Sequence, residues 1–263
     1  MEWKKHLKAL KKRAIMNYSD KITATIKRIQ VASHIAERKG EVLTVCFSGG
    51  KDSQVMFHLV QRAGVPFCAV YNVTTIDHPR NVNFIRTQYP EIKFQHPNLN
   101  FWDLCRKKKA LPTMLKRFCC FYLKEDSRGA VKAIGVRREE SAKRRSYKVA
   151  EYDRKGIRFY PIIDWLEWEV WQYIEDNGLP MNPCYDFGTR VGCMVCPFSS
   201  TKQLIARFNE FPNLEKKMLA LIHDLRGNTH FATDYPSKSD KELLECWMSK
   251  KSMAEYFQPR LFD

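Results

Sequence analysis

The chain has 263 residues, 44% hydrophobic and 13% aromatic, with only 11 glycines and 12 prolines, which excludes a disordered, collagen-like or low-complexity polymer. Its 45 Lys and Arg against 29 Asp and Glu give a formal net charge of +16, so the surface attracts polyanions: nucleotides, nucleic acid or an acidic partner. No run approaches the ~18 consecutive apolar residues of a membrane span, and Met1-Glu2-Trp3-Lys4-Lys5-His6 has no apolar stretch behind it as a secretory signal would, so a cytoplasmic chain with no membrane partner is expected.

Residues 1–40 read as an N-terminal helical segment, because Ile22, Ile26, Ile29, Ala32 and Ala36 recur at steps of three and four and Gly40 supplies a stop. The uncharged, β-branched run 42–47 predicts a strand buried on both faces of a parallel sheet. A helix follows the Ser-Gly-Gly turn, with Val55, Met56, Leu59 and Val60 on its inner face. Strands are then expected at 67–73, 92–96 and 131–136, helices at 80–89 and 101–109, and a hairpin over 147–160 turning at Asp153-Arg154-Lys155-Gly156. This alternation predicts an α/β fold over 41–166, a doubly wound, mostly parallel sheet that binds ligands beyond the carboxyl ends of its strands. Helical patterns at 167–177, 202–209, 214–225 and 241–248 surround a Cys- and Pro-containing loop, so 167–263 reads as a helical annex packed on the core.

Ser48-Gly49-Gly50-Lys51-Asp52-Ser53 lies between a buried strand and a helix, where backbone N–H groups and the positive end of the helix dipole favour a phosphate. The glycines allow close backbone approach, Ser48 and Ser53 add hydroxyls, Lys51 adds charge, and Asp52 is suited to hold Mg²⁺ against phosphate oxygens. The hexapeptide is not the Gly-x-x-x-x-Gly-Lys-[Ser/Thr] loop of kinase-type nucleotide enzymes. A polar turn capped by Asp or Ser is the plainer alternative.

Nine cysteines in a chain with no export signal point to metal, cofactor or redox chemistry before disulfides. Cys119-Cys120 and Cys193-Met194-Val195-Cys196 supply four thiolates, the number that holds a [4Fe–4S] cluster, and the second pair has the spacing that brings two sulfurs to one centre. Adjacent cysteines are expected on an irregular or kinked segment. Zinc and unligated core thiols are the competing readings. Cys46, Cys68, Cys105, Cys184 and Cys246 read as buried residues.

Seven basic residues, Lys132, Arg137, Arg138, Lys143, Arg144, Arg145 and Lys148, gather past a predicted strand end, as a solvated face or a phosphate clamp. Lys107-Lys108-Lys109 and Lys116-Arg117 precede the Cys-Cys pair, so a basic surface beside the thiols is expected. The histidines show no catalytic or metal-type spacing, and His58 reads as a packed helix residue.

The hexapeptide resembles the pyrophosphate loop of the adenine nucleotide α-hydrolase-like superfamily, whose ATP pyrophosphatases cleave between the α and β phosphates. Gly135-Val136-Arg137-Arg138-Glu139-Glu140-Ser141 resembles the Gly-x-Arg-x-x-Glu-Ser element of the phosphoadenosine phosphosulfate (PAPS) reductase family. So do Tyr160-Pro161-Ile162-Ile163-Asp164-Trp165 and Leu179-Pro180-Met181-Asn182-Pro183-Cys184-Tyr185-Asp186, and the resemblance runs over residues 41–198. The two cysteine pairs resemble those of iron–sulfur adenylylsulfate (APS) reductases, which implies a [4Fe–4S] cluster on Cys119, Cys120, Cys193 and Cys196.

The resemblance also implies an adenine nucleotide at Ser48, Gly49, Gly50, Lys51, Asp52, Ser53 and Arg137, with Lys51, Asp52 and Arg137 catalytic. Two activities follow. One is Mg²⁺-assisted ATP cleavage coupled to sulfur transfer, with tRNA or DNA as acceptor and a cysteine desulfurase as donor. The other is reduction of APS or PAPS to sulfite with thioredoxin. Reductases of the family generally replace the Lys-Asp-Ser half of the loop, often with Ala-Glu-Asp, and carry their nucleophile in a Glu-Cys-Gly tail. Here Lys51-Asp52-Ser53 is retained and Glu245-Cys246 is followed by Trp247, which favours ATP cleavage. A non-catalytic nucleotide-binding subunit is the third reading.

Overall fold

A computed structural model describes residues 18–124, 129–153, 156–187, 191–226 and 235–257. Two compact units share the chain. The first is drawn from Met1–Asn72, Pro79–Gln95 and Ser127–Val191, the second from Val73–His78, His96–Asp126 and Gly192–Asp263.

The first unit is built on a six-stranded sheet of order β3-β2-β1-β4-β6-β5. Its strands are β1 (Leu43–Cys46), β2 (Phe67–Asn72), β3 (Lys93–Gln95), β4 (Val131–Ile134), β5 (Ala150–Asp153) and β6 (Gly156–Phe159). All neighbours are parallel except the β5–β6 hairpin, as its short loop requires. Residues Arg154 and Lys155 of the expected hairpin turn lie outside the described residues. Helix α1 (Tyr18–Glu37) contacts β1 and β4 and buries Ile29, Ala32 and Ala36 completely. Arg28 fixes it through both guanidinium arms to Asp164, at 2.8 Å each, and Trp165 donates its indole N–H to Thr25 at 2.9 Å.

Helix α2 (Lys51–Ala63) follows β1, α3 (Pro79–Gln88) precedes β3, and α6 (Glu167–Asp176) packs on α2. The strand order turns at β1, whose neighbours β2 and β4 run out on opposite sides. The carboxyl ends of β1 and β4 therefore flank the switch point at which parallel α/β sheets hold ligands.

In the second unit, α4 (Phe101–Lys108), α5 (Phe118–Leu123), α7 (Thr201–Glu210), α8 (Pro212–Arg226) and α9 (Asp240–Ser249) surround one apolar core, followed by the short α10 (Met253–Phe257). Phe101, Leu104, Leu204, Met218, Leu221, Ile222 and Leu243 are almost wholly buried there. Ser200 and Ser239 start α7 and α9 by accepting from the N–H groups of Gln203 and Glu242, whose side chains reach back to the serine N–H groups.

The units do not follow the expected boundaries of 41–166 and 167–263. Residues 167–191 go with the sheet, because α6 buries Val170, Tyr173 and Ile174 and places the Tyr173 hydroxyl 3.0 Å from both His58 and Arg62 of α2. Residues 96–126 go with the helices, because Phe101, Leu104 and Cys105 face the core built from α7, α8 and α9. The adjacent Cys119 and Cys120 sit on a regular short helix, not the irregular segment expected, since burying Cys119 and Leu123 one turn apart sustains α5.

Candidate functional site

The phosphate-loop hexapeptide occupies the junction from β1 to α2, with Gly50 as the N-cap residue and no side-chain cap. Gly49 has φ +79°, and a Cβ there would lie 2.2 Å from Asn81 Oδ1, so the conformation and the space both require glycine. Asn81 cannot easily yield. Its Oδ1 accepts from Asn182 Nδ2 at 2.7 Å, its own amide donates to Ser48 O at 3.2 Å, and Asn182 Nδ2 also donates to Gly49 O at 2.8 Å. Gln54 donates to the same Gly49 carbonyl at 3.1 Å and accepts from Tyr89 OH at 2.9 Å. Two buried asparagines and a buried glutamine thus hold the loop from beneath, with their polar groups satisfied as burial demands. Above them the Ser48 and Ser53 hydroxyls meet at 3.0 Å, and the Lys51 N–H donates to Tyr185 OH at 2.8 Å.

The charged groups converge at the first turn of α2. Lys51 Nζ lies 3.2 Å from Glu167 and 3.5 Å from Asp52, with the rings of Trp171 and Tyr185 at 5.6 and 5.9 Å. From the end of β4, Arg137 points its Nε to Asp52 Oδ1 and its Nη1 to Glu139 at 2.7 Å, and its side chain is only 3% exposed. Burial disfavours its charge, but Asp52 and then Glu140 and Glu139 more than compensate, so the guanidinium stays protonated. Gly135 makes this approach possible, because a Cβ there would lie 2.9 Å from Asp52 O and 3.1 Å from Ser53 N. Asp52, expected to face a metal, is here the anion shared by Arg137 and Lys51. Burial pushes the Tyr185 phenol up to about 12, keeping it neutral beside the Lys51 N–H.

The remaining basic residues of that run do not form one clamp. Lys132 is buried in β4, Arg138 donates to Tyr147 O at 3.1 Å, Arg144 pairs with Glu140, and Lys143, Arg145 and Lys148 are exposed. His58 packs against Tyr173, as expected, and burial pulls its pKa down.

The four paired cysteines all lie in the second unit. Cys119 and Cys193 are buried, Cys120 and Cys196 half-buried. Cys119 hydrogen-bonds Cys120, and that bond, followed by burial and the charges of Cys120, Cys193 and Cys196, pushes its thiol far up. Cys193 lies 3.5 Å from Thr74 Oγ1 and pairs in a β-bridge with Asp77, while Met194 N donates to Ile76 O at 2.8 Å. Arg207 Nη1 holds the carbonyls of Cys193 and Met194 at 3.1 and 2.9 Å. Lys124 and Cys193 favour each other's charged forms: the Cys193 sulfur is the first cause that raises the Lys124 pKa, while burial outweighs Lys124 and raises the Cys193 thiol.

The raised Cys119 and Cys193 thiols need a compensating cation to become thiolates, and a Cys₄-ligated centre that also takes Cys120 and Cys196 would supply it. The donor chemistry therefore fits an iron–sulfur or zinc centre. Among the described residues, however, no three His, Cys, Asp or Glu side chains are closed into metal-ligating geometry. Burial pushes the Cys105 thiol up to about 12, and Cys246 is buried in α9, so neither is poised as a nucleophile.

A Gly-Gly-Lys loop and a Gly-x-Arg turn at the carboxyl ends of adjacent parallel strands define a nucleotide-binding α/β protein. A model of the phosphoadenosine phosphosulfate reductase domain matches residues 42–199, and the chain belongs to that family, whose members are generally enzymes using adenine nucleotides. It is 27% identical over 207 residues to an uncharacterized protein of Methanocaldococcus jannaschii, covering 72% of this chain and 49% of that one. It is 29% identical over 181 residues to an uncharacterized 37.8 kDa protein of Escherichia phage 186, covering 59% and 54%. The chain thus spans about half the length of these two relatives. An adenosine 5'-phosphosulfate reductase of Oceanobacillus iheyensis is 29% identical over 175 residues, 59% of this chain and 71% of that one. A solved phosphoadenylyl-sulfate reductase of Candida auris, in complex with phosphate, aligns with a TM-score of 0.42 and 19% identity over 57% of this chain and 80% of that one. Among the described residues no helix is long and apolar enough to cross a membrane.

Several site residues escaped the sequence reading. Tyr185 and Asn182 lie inside a family-like run and Trp171 within the span of the resemblance, which marks their neighbourhood but not their roles. Asn81, Glu167 and Thr74 carry no local signal, and only the tertiary structure brings them in.

Proposed function

We propose that the chain is an adenine-nucleotide-activating enzyme that cleaves ATP between the α and β phosphates and couples the activated acceptor to sulfur transfer. The observation that supports it is the intact Gly-Gly-Lys-Asp-Ser loop, with Lys51 and Arg137 meeting at Asp52. The N-terminus of α2 receives the phosphates, and Lys51 and Arg137 carry positive charge to where the leaving pyrophosphate gathers negative charge. An acceptor oxygen forms a bond to the α phosphorus as the bond to the bridging oxygen breaks. Pyrophosphate leaves with the electron pair, and the acceptor proton passes to solvent. Asp52 would hold Mg²⁺, and the ion would neutralise phosphate charge. A [4Fe–4S] cluster on Cys119, Cys120, Cys193 and Cys196 would supply a sulfur or electron relay. Nucleic acid is the acceptor in this reading, and a cysteine desulfurase the donor.

The name of the Oceanobacillus iheyensis relative, an adenosine 5'-phosphosulfate reductase, favours a second reading, reduction of APS or PAPS to sulfite with thioredoxin. It needs a reactive thiol, and Cys246, the cysteine that follows a glutamate as in the reductase tail, is only 2% exposed within a helix. Parallel assays separate the two. Anaerobic protein should release pyrophosphate from ATP and no sulfite from APS or PAPS with thioredoxin, and Lys51→Ala or Asp52→Ala should slow pyrophosphate release by ~10–100-fold. Sulfite release with no pyrophosphate would establish the reductase instead.

A further inference from the structure

In the second unit, residues 104–124 hold seven basic and no acidic side chains. Lys107, Lys108 and Lys109 project at the end of α4, where Lys109 turns the chain with φ +52°, and Lys116 and Arg117 project just before α5. Aromatic rings stand among these cations. Phe121 and Tyr122 of α5 are 49% and 42% exposed, while Cys119 and Leu123 of the same helix are buried. Their rings meet edge to face at 5.1 Å. Lys108 joins α4 to this pair, its Nζ 4.5 Å from the Tyr122 ring centre and 2.9 Å from the phenol oxygen. Arg117 lies 5.3 Å over Phe198, itself 50% exposed and two residues past Cys196. Leu115, between the two basic groups, is 96% exposed.

Lysines alone on a +16 chain are a solvated face. Exposed rings interleaved with them cost hydration without burial, and the combination suits a partner that brings phosphates and flat π faces together. Duplex nucleic acid hides its base faces in the stack, and an acidic polypeptide has carboxylates but few rings. We infer that this face, formed by the end of α4, the exposed side of α5 and Phe198, is a binding surface for single-stranded nucleic acid. Lysines 107, 109 and 116 with Arg117 track the phosphates, and Phe121, Tyr122 and Phe198 are the platforms on which bases stack. The inference deepens the proposed function by naming its acceptor class. It is tested without nucleotide, so that failure here leaves the pyrophosphate assay intact, and the reverse.

The probes are fluorescein-labelled 15-nucleotide single strands of one mixed sequence, as RNA and as DNA, with the DNA duplex alongside, titrated by anisotropy over a range of salt. Both single strands should bind more tightly than the duplex. Phe121→Ala with Tyr122→Ala should weaken single-strand binding by on the order of tenfold or more with an unchanged salt slope, the signature of lost stacking. Lys107→Ala, Lys109→Ala and Lys116→Ala together should flatten the slope of log affinity on log salt by about 2, at ~0.7 per phosphate. The control is Lys143→Ala, Arg145→Ala and Lys148→Ala, which removes the same charge from exposed positions of the other unit and should cost far less. All the substituted positions are exposed, so unchanged melting temperatures confirm folding. Equal losses in the two triple variants, or no loss in the aromatic variant, would overturn the inference. So would competition by poly-glutamate as effective as that by unlabelled single strand, which would assign the face to an acidic polypeptide.

Discussion

Gly49→Ala isolates the architecture of the phosphate loop from its chemistry. Two costs add at this position. Holding alanine at φ +79° costs about 1–2 kcal/mol, the ordinary penalty of an L-residue in the left-handed region. The second cost is steric, because the new Cβ would stand 2.2 Å from Asn81 Oδ1, the oxygen that accepts from Asn182. Moving Asn81 aside breaks that buried hydrogen bond, and leaving the partner unsatisfied costs about 1–3 kcal/mol. The sum, about 2–5 kcal/mol, corresponds to a melting-temperature loss of roughly 4–20 °C at ~2–4 °C per kcal/mol. Gly40→Ala is the internal control: φ is +72° there too, but a Cβ would meet nothing within 4 Å, so only the backbone cost of about 1–2 kcal/mol applies. Thermal unfolding by circular dichroism, with pyrophosphate release measured on the folded fraction, compares the two variants. If Gly49→Ala melts no lower than Gly40→Ala, Asn81 is not fixed and the account of a rigid loop fails.

The Arg28–Asp164 ion pair should make stability depend on pH. Burial works against the Asp164 carboxylate, but the Arg28 hydrogen bonds and charge outweigh it and leave the folded-state pKa below its ordinary value. The stabilisation is therefore complete above the unfolded value of about 3.9 and is lost as pH falls through the depressed folded value. The melting-temperature gap between wild type and Arg28→Ala should be constant from pH 5 to 7 and close below about pH 4; a gap that widens on acidification would contradict the pairing. Anaerobically prepared protein should carry about four irons with absorption near ~400 nm, and Cys120→Ser or Cys193→Ser should lower the iron content. Stoichiometric zinc without labile sulfide would replace the cluster with a structural metal.

The β1–loop–α2 unit was fully legible because its signals are local: a β-branched run, a glycine pair and a helix-period apolar stripe within about twenty residues. The Gly135 and Arg137 turn was legible as a motif, but not the reason for its glycine, which is the approach of Asp52 O and Ser53 N from across the site. Tyr185, which receives the Lys51 N–H, is 134 residues away in the chain, a separation no periodicity can bridge. Helix α5 was missed because Phe118-Cys119-Cys120-Phe121-Tyr122 has low helix propensity and six residues are too few to show a period; burial of Cys119 and Leu123 sustains it instead. The helices of 96–126 continue the β-then-α rhythm in sequence, so only their apolar partners in α7, α8 and α9 reveal the unit to which they belong.

The chain crosses from one unit to the other more than once, leaving the sheet unit after Asn72 and again after Gln95 before the final departure after Val191. No single cut can release either unit whole. Truncation after Val191 would strand Phe101, Leu104, Leu111 and Leu123 without the residues of α7, α8 and α9 that cover them. It would also part Cys119 and Cys120 from Cys193 and Cys196. An expression fragment designed around residues 42–199, the stretch that carries the family match, inherits the same defect, since α7, α8 and α9 all lie beyond it. Such a fragment should be insoluble because the core of the helical unit is left open rather than for any fault in the sheet, and exchanging the helical unit between relatives would require five coordinated junctions instead of one.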